Sequence, residues 1–526
     1  MNVLPPRSRL PLGRASFRLL RQDGDLYVDK TRDMAEMLRG GWPYAFLVRP
    51  RRFGKSLLIT TLEVLFQGER DLFAETWIQD SDWSWEVHPV IRLDMSIVGG
   101  LDRDELQRKL RAHLAEIYQV HGEDMPPDTR DPDRLLRFLI LRLAARNRVV
   151  VLVDEYDAPI IRNLQRPQAL TELRAELRDF YGILKASEEH LRFVFLTGIT
   201  RFARTSIFSG LNNLRDISHL AQCSALLGFT EADLDSSLAP YVETAAAAQQ
   251  CSVPVLRDRL RNWYDGYLFA AGGQRVYNPY SLLGFLEDRE FGNYWAETAT
   301  PTFLVELIKE GRYDITGIAR LDPAVVTRAV YEPEAPNVST LLYQTGYLTL
   351  QGDGTDDTLR LGFPNREVKR TFAESLLTVY GARTDLVRGQ LGPLGQAWTR
   401  QDHADFFARF NNLLQELNYA VIPDAHRLYQ MLLHLIFTLL GYHPRSEQPT
   451  LTGRLDTVVE ITDQVVILGG VVKPGICGYT EGTHTEEGAS HDCYTPSPRP
   501  LGPRRAPSGT PAARRSGPGG APRRGQ

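Results

Sequence analysis

Four cysteines in 526 residues, Cys223, Cys251, Cys477 and Cys493, are too few and too scattered to staple a fold. None forms a C-x-x-C pair. That spacing excludes a dense disulfide framework and a paired thiolate metal site, and it suits a reducing cytoplasm. Long apolar runs are missing as well. The most apolar stretch, Met431 to Leu440, is about half the length that spans a bilayer, and it reads as a core helix. The N-terminus has basic residues but no continuous apolar segment behind them, so no signal peptide is expected. No single sign of charge dominates. A formal net charge of −4 gives no whole-chain case for binding nucleic acid or a membrane. The chain before Gly469 is more acidic than that total, because the text after it is basic. Lysine is scarce, with seven in the chain, so the setting of each is informative.

One of them stands in Arg49-Pro50-Arg51-Arg52-Phe53-Gly54-Lys55-Ser56. Tyr44 to Val48 ahead of it reads as a buried strand. Leu57, Leu58, Thr61, Leu62, Leu65 and Phe66 behind it recur at helical spacing until Gly68. Strand, Gly-Lys-Ser and helix make the setting of a phosphate-binding loop, or P-loop. The backbone N–H groups of Arg52, Phe53, Gly54, Lys55, Ser56 and Leu57 are expected to wrap the phosphates of ATP. Lys55 reaches the β and γ oxygens, and the Ser56 hydroxyl ligates Mg2+. One rule of G-x-x-x-x-G-K-[ST] is broken, since Arg49 stands at the first glycine. The plainer reading is an ordinary strand-to-helix turn.

A second constellation closes the β-branched run Arg148 to Val153, where Asp154-Glu155-Tyr156-Asp157 follows. Such a run suits a central parallel strand, with its acids at the C-terminal end where ligands bind open α/β sheets. Asp154 is placed to hold the magnesium water shell, and Glu155 to polarise the attacking water. Strands are also expected over Leu26–Thr31, with Thr31 as a helix cap, and over Pro89–Asp94 and Leu191–Thr200. The last ends in hydroxyls, so Thr197 is a candidate γ-phosphate sensor. Arg201 and Arg204 follow as candidate transition-state arginines, against the plainer reading of surface ion pairs. The alternation of strands and helices gives an α/β fold, a parallel sheet with helices on both faces.

At Ser206 to Asn213 the character changes, and Leu226 to Asp233 starts a helical region. Thr230 reads as its cap, and Asn262 to Tyr267 and Val276 to Ser281 are aromatic clusters separated by turn residues. Packing is the favoured role for those clusters, because lysine and arginine do not interleave them. Tyr347–Leu350 and Leu359–Phe363 flank Gly352-Asp353-Gly354, a hairpin after a helix, as in a winged-helix unit.

The P-loop and acidic motifs resemble those of the AAA-ATPase-like family, as do Thr197-Gly198, Ser206 to Asn213, Trp263 to Tyr267 and Tyr277-Asn278-Pro279-Tyr280. The resemblance runs from about Leu10 to Leu468 and includes the missing first glycine. It implies an ATP- and Mg2+-dependent P-loop domain over 10–220 and a helical, winged-helix-like lid over 221–385. A C-terminal domain of the PD-(D/E)xK nuclease type over 386–468 would follow, through which nucleic acid is an expected partner.

In that nuclease pattern an aspartate at Asp456 binds metal, and a Glu-x-Lys on the next strand completes the site. Val465 to Leu468 is followed instead by Gly469-Gly470-Val471, and Lys473 comes late, without an acid beside it. Residues 469–526 are rich in Gly, Pro, Ser and Arg without apolar periodicity, and read as a disordered tail. The abrupt break suggests a frame-shifted end and a truncated α/β nuclease-like domain. The alternative is a basic tail that binds nucleic acid. Three functions remain open at this point: an ATP-driven switch, a nuclease regulated by ATP, and a nucleotide-gated interaction module with little turnover.

Overall fold

The computed structural model describes residues 8–100, 102–164, 166–202, 207–295, 326, 337–352, 359–379, 384–415, 425–442, 445–450, 453–461 and 464–468. All of these belong to one unit, Met1–Gly482.

Its centre is a five-stranded sheet of β1 (Tyr44–Val48), β2 (Val90–Asp94), β3 (Val149–Asp154), β4 (Leu191–Gly198) and β5 (Arg215–Asp216). The strands lie in the order β2-β3-β4-β1-β5, and every pairing is parallel. Side chains alternate between the two faces of a strand. Every residue of β1 and β3 is nevertheless buried, so both faces of the sheet are covered. The helix Lys55–Phe66 packs on β2 and β3, with Phe17–Gln22 against it. The helices Arg103–Val120, Pro132–Ala144 and Pro167–Ala186 pack against one another. This is an α/β P-loop NTPase-like fold. Parallel pairing also brings the C-terminal ends of all the strands to one edge.

Leu26–Lys30 is not a strand. Among the described residues no partner strand lies beside it, and its backbone is tied instead by Leu26 N–H to Arg9 O at 2.9 Å. Thr31 is the first residue of the helix Thr31–Arg39 rather than its cap. Its hydroxyl accepts from Ile78 N–H at 3.1 Å, while Asp29 Oδ1 accepts from Thr31 N–H at 2.8 Å. Thr230 does cap, exchanging hydrogen bonds with Asp233 at the start of Glu231–Asp235.

Beyond the sheet, Ala239–Ala248, Val253–Tyr264 and Pro279–Asp288 build a second apolar core around Leu256, Leu260, Tyr264 and Phe285. The aromatic clusters are packing groups here, with Tyr264, Tyr267 and Tyr277 fully buried. The short hairpin β6 (Tyr267–Leu268) and β7 (Arg275–Val276) is antiparallel. A second hairpin, β8 (Thr349–Gln351) and β9 (Arg360–Gly362), follows the helix Val338–Thr345, as its sequence suggested. The run Met431–Leu440 falls mostly within the helix Ala425–Leu439, and Leu432, Leu435, Ile436 and Phe437 are buried. Among the described residues no helix is long and apolar enough to cross a membrane. An antiparallel sheet of β10 (Arg445–Thr450), β11 (Gly453–Ile461) and β12 (Gln464–Leu468) ends the described chain.

Candidate functional site

β1 runs straight into the loop 49–54, which curls through left-handed turns at Arg52 (φ 68°) and Gly54 (φ 86°) before entering the helix Lys55–Phe66. A residue with a Cβ is strained at such φ values, so glycine suits the second turn. This helix has Gly54 at its N-cap, a residue with no side chain to cap it. Its first N–H groups have no partner within the helix, and the helix dipole adds positive potential there. That is an anion site by construction.

Arg49 is buried, with its guanidinium 4.1 Å over the Phe269 ring. It donates to Val48 O and Ser218 O, both at 2.9 Å, and to Cys223 O at 3.1 Å. Phe53 is buried edge-on to Tyr267 and Phe269, at 4.8 and 5.3 Å. Pro50 lies so close to Gly346 (φ 91°) that a Cβ there would sit 2.6 Å from it. The loop is therefore braced from outside the sheet by hairpin and helix together. Lys55 Nζ donates to Arg49 O at 3.0 Å and Pro50 O at 2.9 Å. Burial lowers the pKa of this ammonium, while Asp154, Glu155 and Asp157 oppose that shift.

Asp154 ends β3, beside Asp94 in the parallel register. Burial raises its pKa, and a hydrogen bond from Ser56 and the charge of Lys55 act against this. Glu155 follows in a left-handed conformation (φ 48°), which turns the chain sharply out of the strand. Burial also raises the Glu155 carboxyl above its ordinary range; Lys55 and Arg51 pull it down and Asp154 pushes it up. Asp157 has a different task. Its Oδ2 accepts from Ile199 N–H, Thr200 N–H and the Thr200 hydroxyl at 2.9, 2.6 and 2.6 Å, locking the end of β3 to that of β4. Gly198 is required beside it, because a Cβ there would lie 2.5 Å from Asp157 Oδ1.

A cleft of about 480 Å³ opens over the loop. Arg52, Phe53, Gly54, Lys55, Ser56, Leu57 and Glu155 all line it. Among the described residues five cations (Arg14, Lys30, Arg51, Arg52 and Lys55) and one carboxylate, Glu155, face this space, which suits a polyanion. Its apolar wall combines Leu26 to Val28 with Leu226, Leu227, Phe229, Tyr280 and Leu283. Sequence reading left these out of the site. Leu26 to Val28 lie in the stretch expected as a strand, and the opposite wall comes from residues some two hundred positions away in the chain.

Thr197 and Arg201 do not line the cleft. Thr197 is fully buried, and its hydroxyl donates to Leu47 O at 2.8 Å, inside the sheet. Arg201 pairs with Asp216 at 2.7 Å and is not among the residues lining the cleft. Arg204 lies outside the described residues. Asp456 lies in β11, where its neighbour Thr457 pairs with Leu468, the last residue of β12. The positions of the expected Glu-x-Lys, and the tail, lie outside the described residues.

The sheet and loop define a nucleotide-binding P-loop protein. Residues 11–208 match the AAA-ATPase-like family, described as a predicted AAA-ATPase. The chain is also 37% identical over 476 residues to the uncharacterized protein in the vnfD 5′ region of Azotobacter chroococcum mcd 1, covering 88% of this chain and 89% of that one. It belongs to the AAA-ATPase-like family. A solved structure, the Aeropyrum pernix ORC2 protein in ADPNP–ADP complexes, overlaps 73% of this chain and 97% of its own at 12% identity. With a TM-score of 0.23 that superposition carries no inference.

Proposed function

We propose that this chain binds Mg2+-ATP in the cleft and hydrolyses it, using the reaction to switch the lid and the C-terminal nuclease-like domain. The observation that carries the reading is the joining of an uncapped helix start, a buried lysine and a carboxylate of raised pKa in one cation-lined cleft. The amides of the loop and Lys55 hold the β- and γ-phosphates. The apolar wall takes the base. Glu155 accepts a proton from the attacking water, a role that favours a carboxylate more basic than usual.

Ser56 and Asp154 fit a magnesium ion. Mg2+ binds through one or two protein oxygens and otherwise keeps waters and phosphate oxygens. The hydrogen-bonded pair of Ser56 hydroxyl and buried Asp154 carboxylate offers such oxygens next to Lys55. When bound, the ion supplies charge neutralisation on the phosphates.

The direct check is calorimetric titration with ATP. Truncating one partner of a buried charge pair costs about 2–5 kcal/mol, so Lys55→Ala should weaken ATP binding about thirty-fold or more. Asp154→Asn should bind ATP in EDTA like the wild type but lose the gain that magnesium brings. Equal ATP affinity in a folded Lys55→Ala variant would remove the P-loop assignment.

A further inference from the structure

Four of the five cations in the cleft are already engaged within the protein. Arg14 pairs with Asp23 and Asp25 at 2.7 and 3.1 Å, and Lys30 pairs with Asp233 at 2.7 Å. Arg52 lies 4.4 Å over the Tyr280 ring, and Lys55 donates to two carbonyls. Arg51 differs: among the described residues its guanidinium makes no ion pair, hydrogen bond or ring contact. It is half-buried all the same. A guanidinium offers five N–H donors in a planar fork, and donors withdrawn from water without acceptors are costly.

We propose that Arg51 is the transition-state arginine of this site, supplied in cis by the phosphate loop itself to the γ-phosphoryl group of ATP; this rests on the ATP-hydrolysing reading above. Two observations converge on it. Arg51 shares the cleft with Lys55 and Glu155, the groups assigned to the γ-phosphate and to the attacking water. Its backbone is held between Pro50, whose ring fixes φ, and the left-handed turn at Arg52, so the side chain leaves a constrained point. Arg201, by contrast, is spent on Asp216.

The step balances simply. The water oxygen bonds to the γ phosphorus while Glu155 takes one of its protons. The bond from that phosphorus to the β–γ bridging oxygen breaks, leaving its electron pair on ADP, and inorganic phosphate departs. Negative charge is spread over the three equatorial γ oxygens as this happens, and the planar fork of Arg51 meets it there.

The experiment uses the full chain and three readouts: ATP turnover, ATP affinity by calorimetry, and retention of ADP with fluoroaluminate, which imitates the transferring phosphoryl group. Arg51→Ala should lose turnover by about a thousand-fold or more, the usual range for such an arginine. It should bind ATP within about threefold of wild type, since ground-state contacts would remain with Lys55 and the amides. Fluoroaluminate trapping should disappear. Arg51→Lys should retain binding without recovering turnover, because an ammonium lacks the fork, and added guanidinium should partly restore Arg51→Ala. Wild-type turnover and trapping in Arg51→Ala would overturn the proposal. So would equal losses of ATP, ADP and ADP–fluoroaluminate affinity, which would make Arg51 a ground-state clamp. Lys55→Ala, run alongside, separates the two failures. If it binds ATP like wild type, the nucleotide reading falls; if it loses ATP while Arg51→Ala still turns over and traps, only this inference falls.

Discussion

Arg49 occupies the place where a P-loop ordinarily opens with glycine, and its surroundings explain the exchange. Its guanidinium fills a buried space under the loop, bridges three carbonyls and stacks on Phe269. Burial pulls its pKa down to about 10, so it stays charged at neutral pH. Restoring the glycine should therefore harm the protein rather than repair it. Arg49→Gly would empty the space and strand carbonyls of Ser218 and Cys223, with a cost of about 2–4 kcal/mol by the usual penalty for unpaired buried groups. Urea unfolding is the measurement, and a variant as stable as wild type would contradict this role for Arg49. The sequence marked Arg49 as an irregularity but held no sign of its partners, which come from positions 218, 223 and 269. Lys55 and Ser56 stood out through Gly-Lys-Ser between an apolar strand and a helix, and Asp154 and Glu155 because they close an unmistakable apolar run. Asp157 was not separable from its neighbours, since only the folded sheet shows that it clamps β4 rather than facing the cleft.

Among the elements, β1, β3 and β4 declared themselves through continuous apolar runs that burial on both faces requires. β5 did not, because two residues carry no period. Leu26–Lys30 reads as a strand for the opposite reason: its apolar residues face the cleft and the second apolar core, not a neighbouring strand. The small sheet β10–β12 matters for what the C-terminal part can do. Thr457, next to Asp456, pairs with Leu468, the last described residue of β12, and in the sequence Gly469-Gly470-Val471 follows where the nuclease pattern needs its acid and lysine. Metal-dependent cleavage needs at least two acids and a nearby cation or base. The purified chain should show no Mg2+- or Mn2+-dependent cleavage of single- or double-stranded DNA or RNA. Robust cleavage that Asp456→Ala abolishes would show that the site is completed from elsewhere in the chain.

Across the whole molecule, the loop, the hairpin β6–β7, the helix Val338–Thr345 and the helices beyond form one connected core. Glu367 sits deep in that assembly. Its Oε1 accepts from Trp295 N–H at 2.7 Å, and burial raises its pKa to about 7. The sign follows from linkage: a folded-state pKa above the unfolded one means the folded chain holds more protons between about pH 4.5 and 7. Glu367 should therefore lower stability as pH rises through that window, by up to about 3 kcal/mol at 1.4 kcal/mol per unit. Thermal unfolding at pH 5 and pH 8 should show a smaller pH effect in Glu367→Gln than in wild type, and an unchanged effect would contradict the burial argument. ATP hydrolysis at this site is decided by comparing phosphate release from bound ATP by the wild-type chain and by Glu155→Gln, with ATP affinity measured on the same samples. ATP binding should be unchanged and phosphate release slowed by about a hundred-fold or more, the usual contribution of a general base. Glu155→Gln releasing phosphate at the wild-type rate would contradict it.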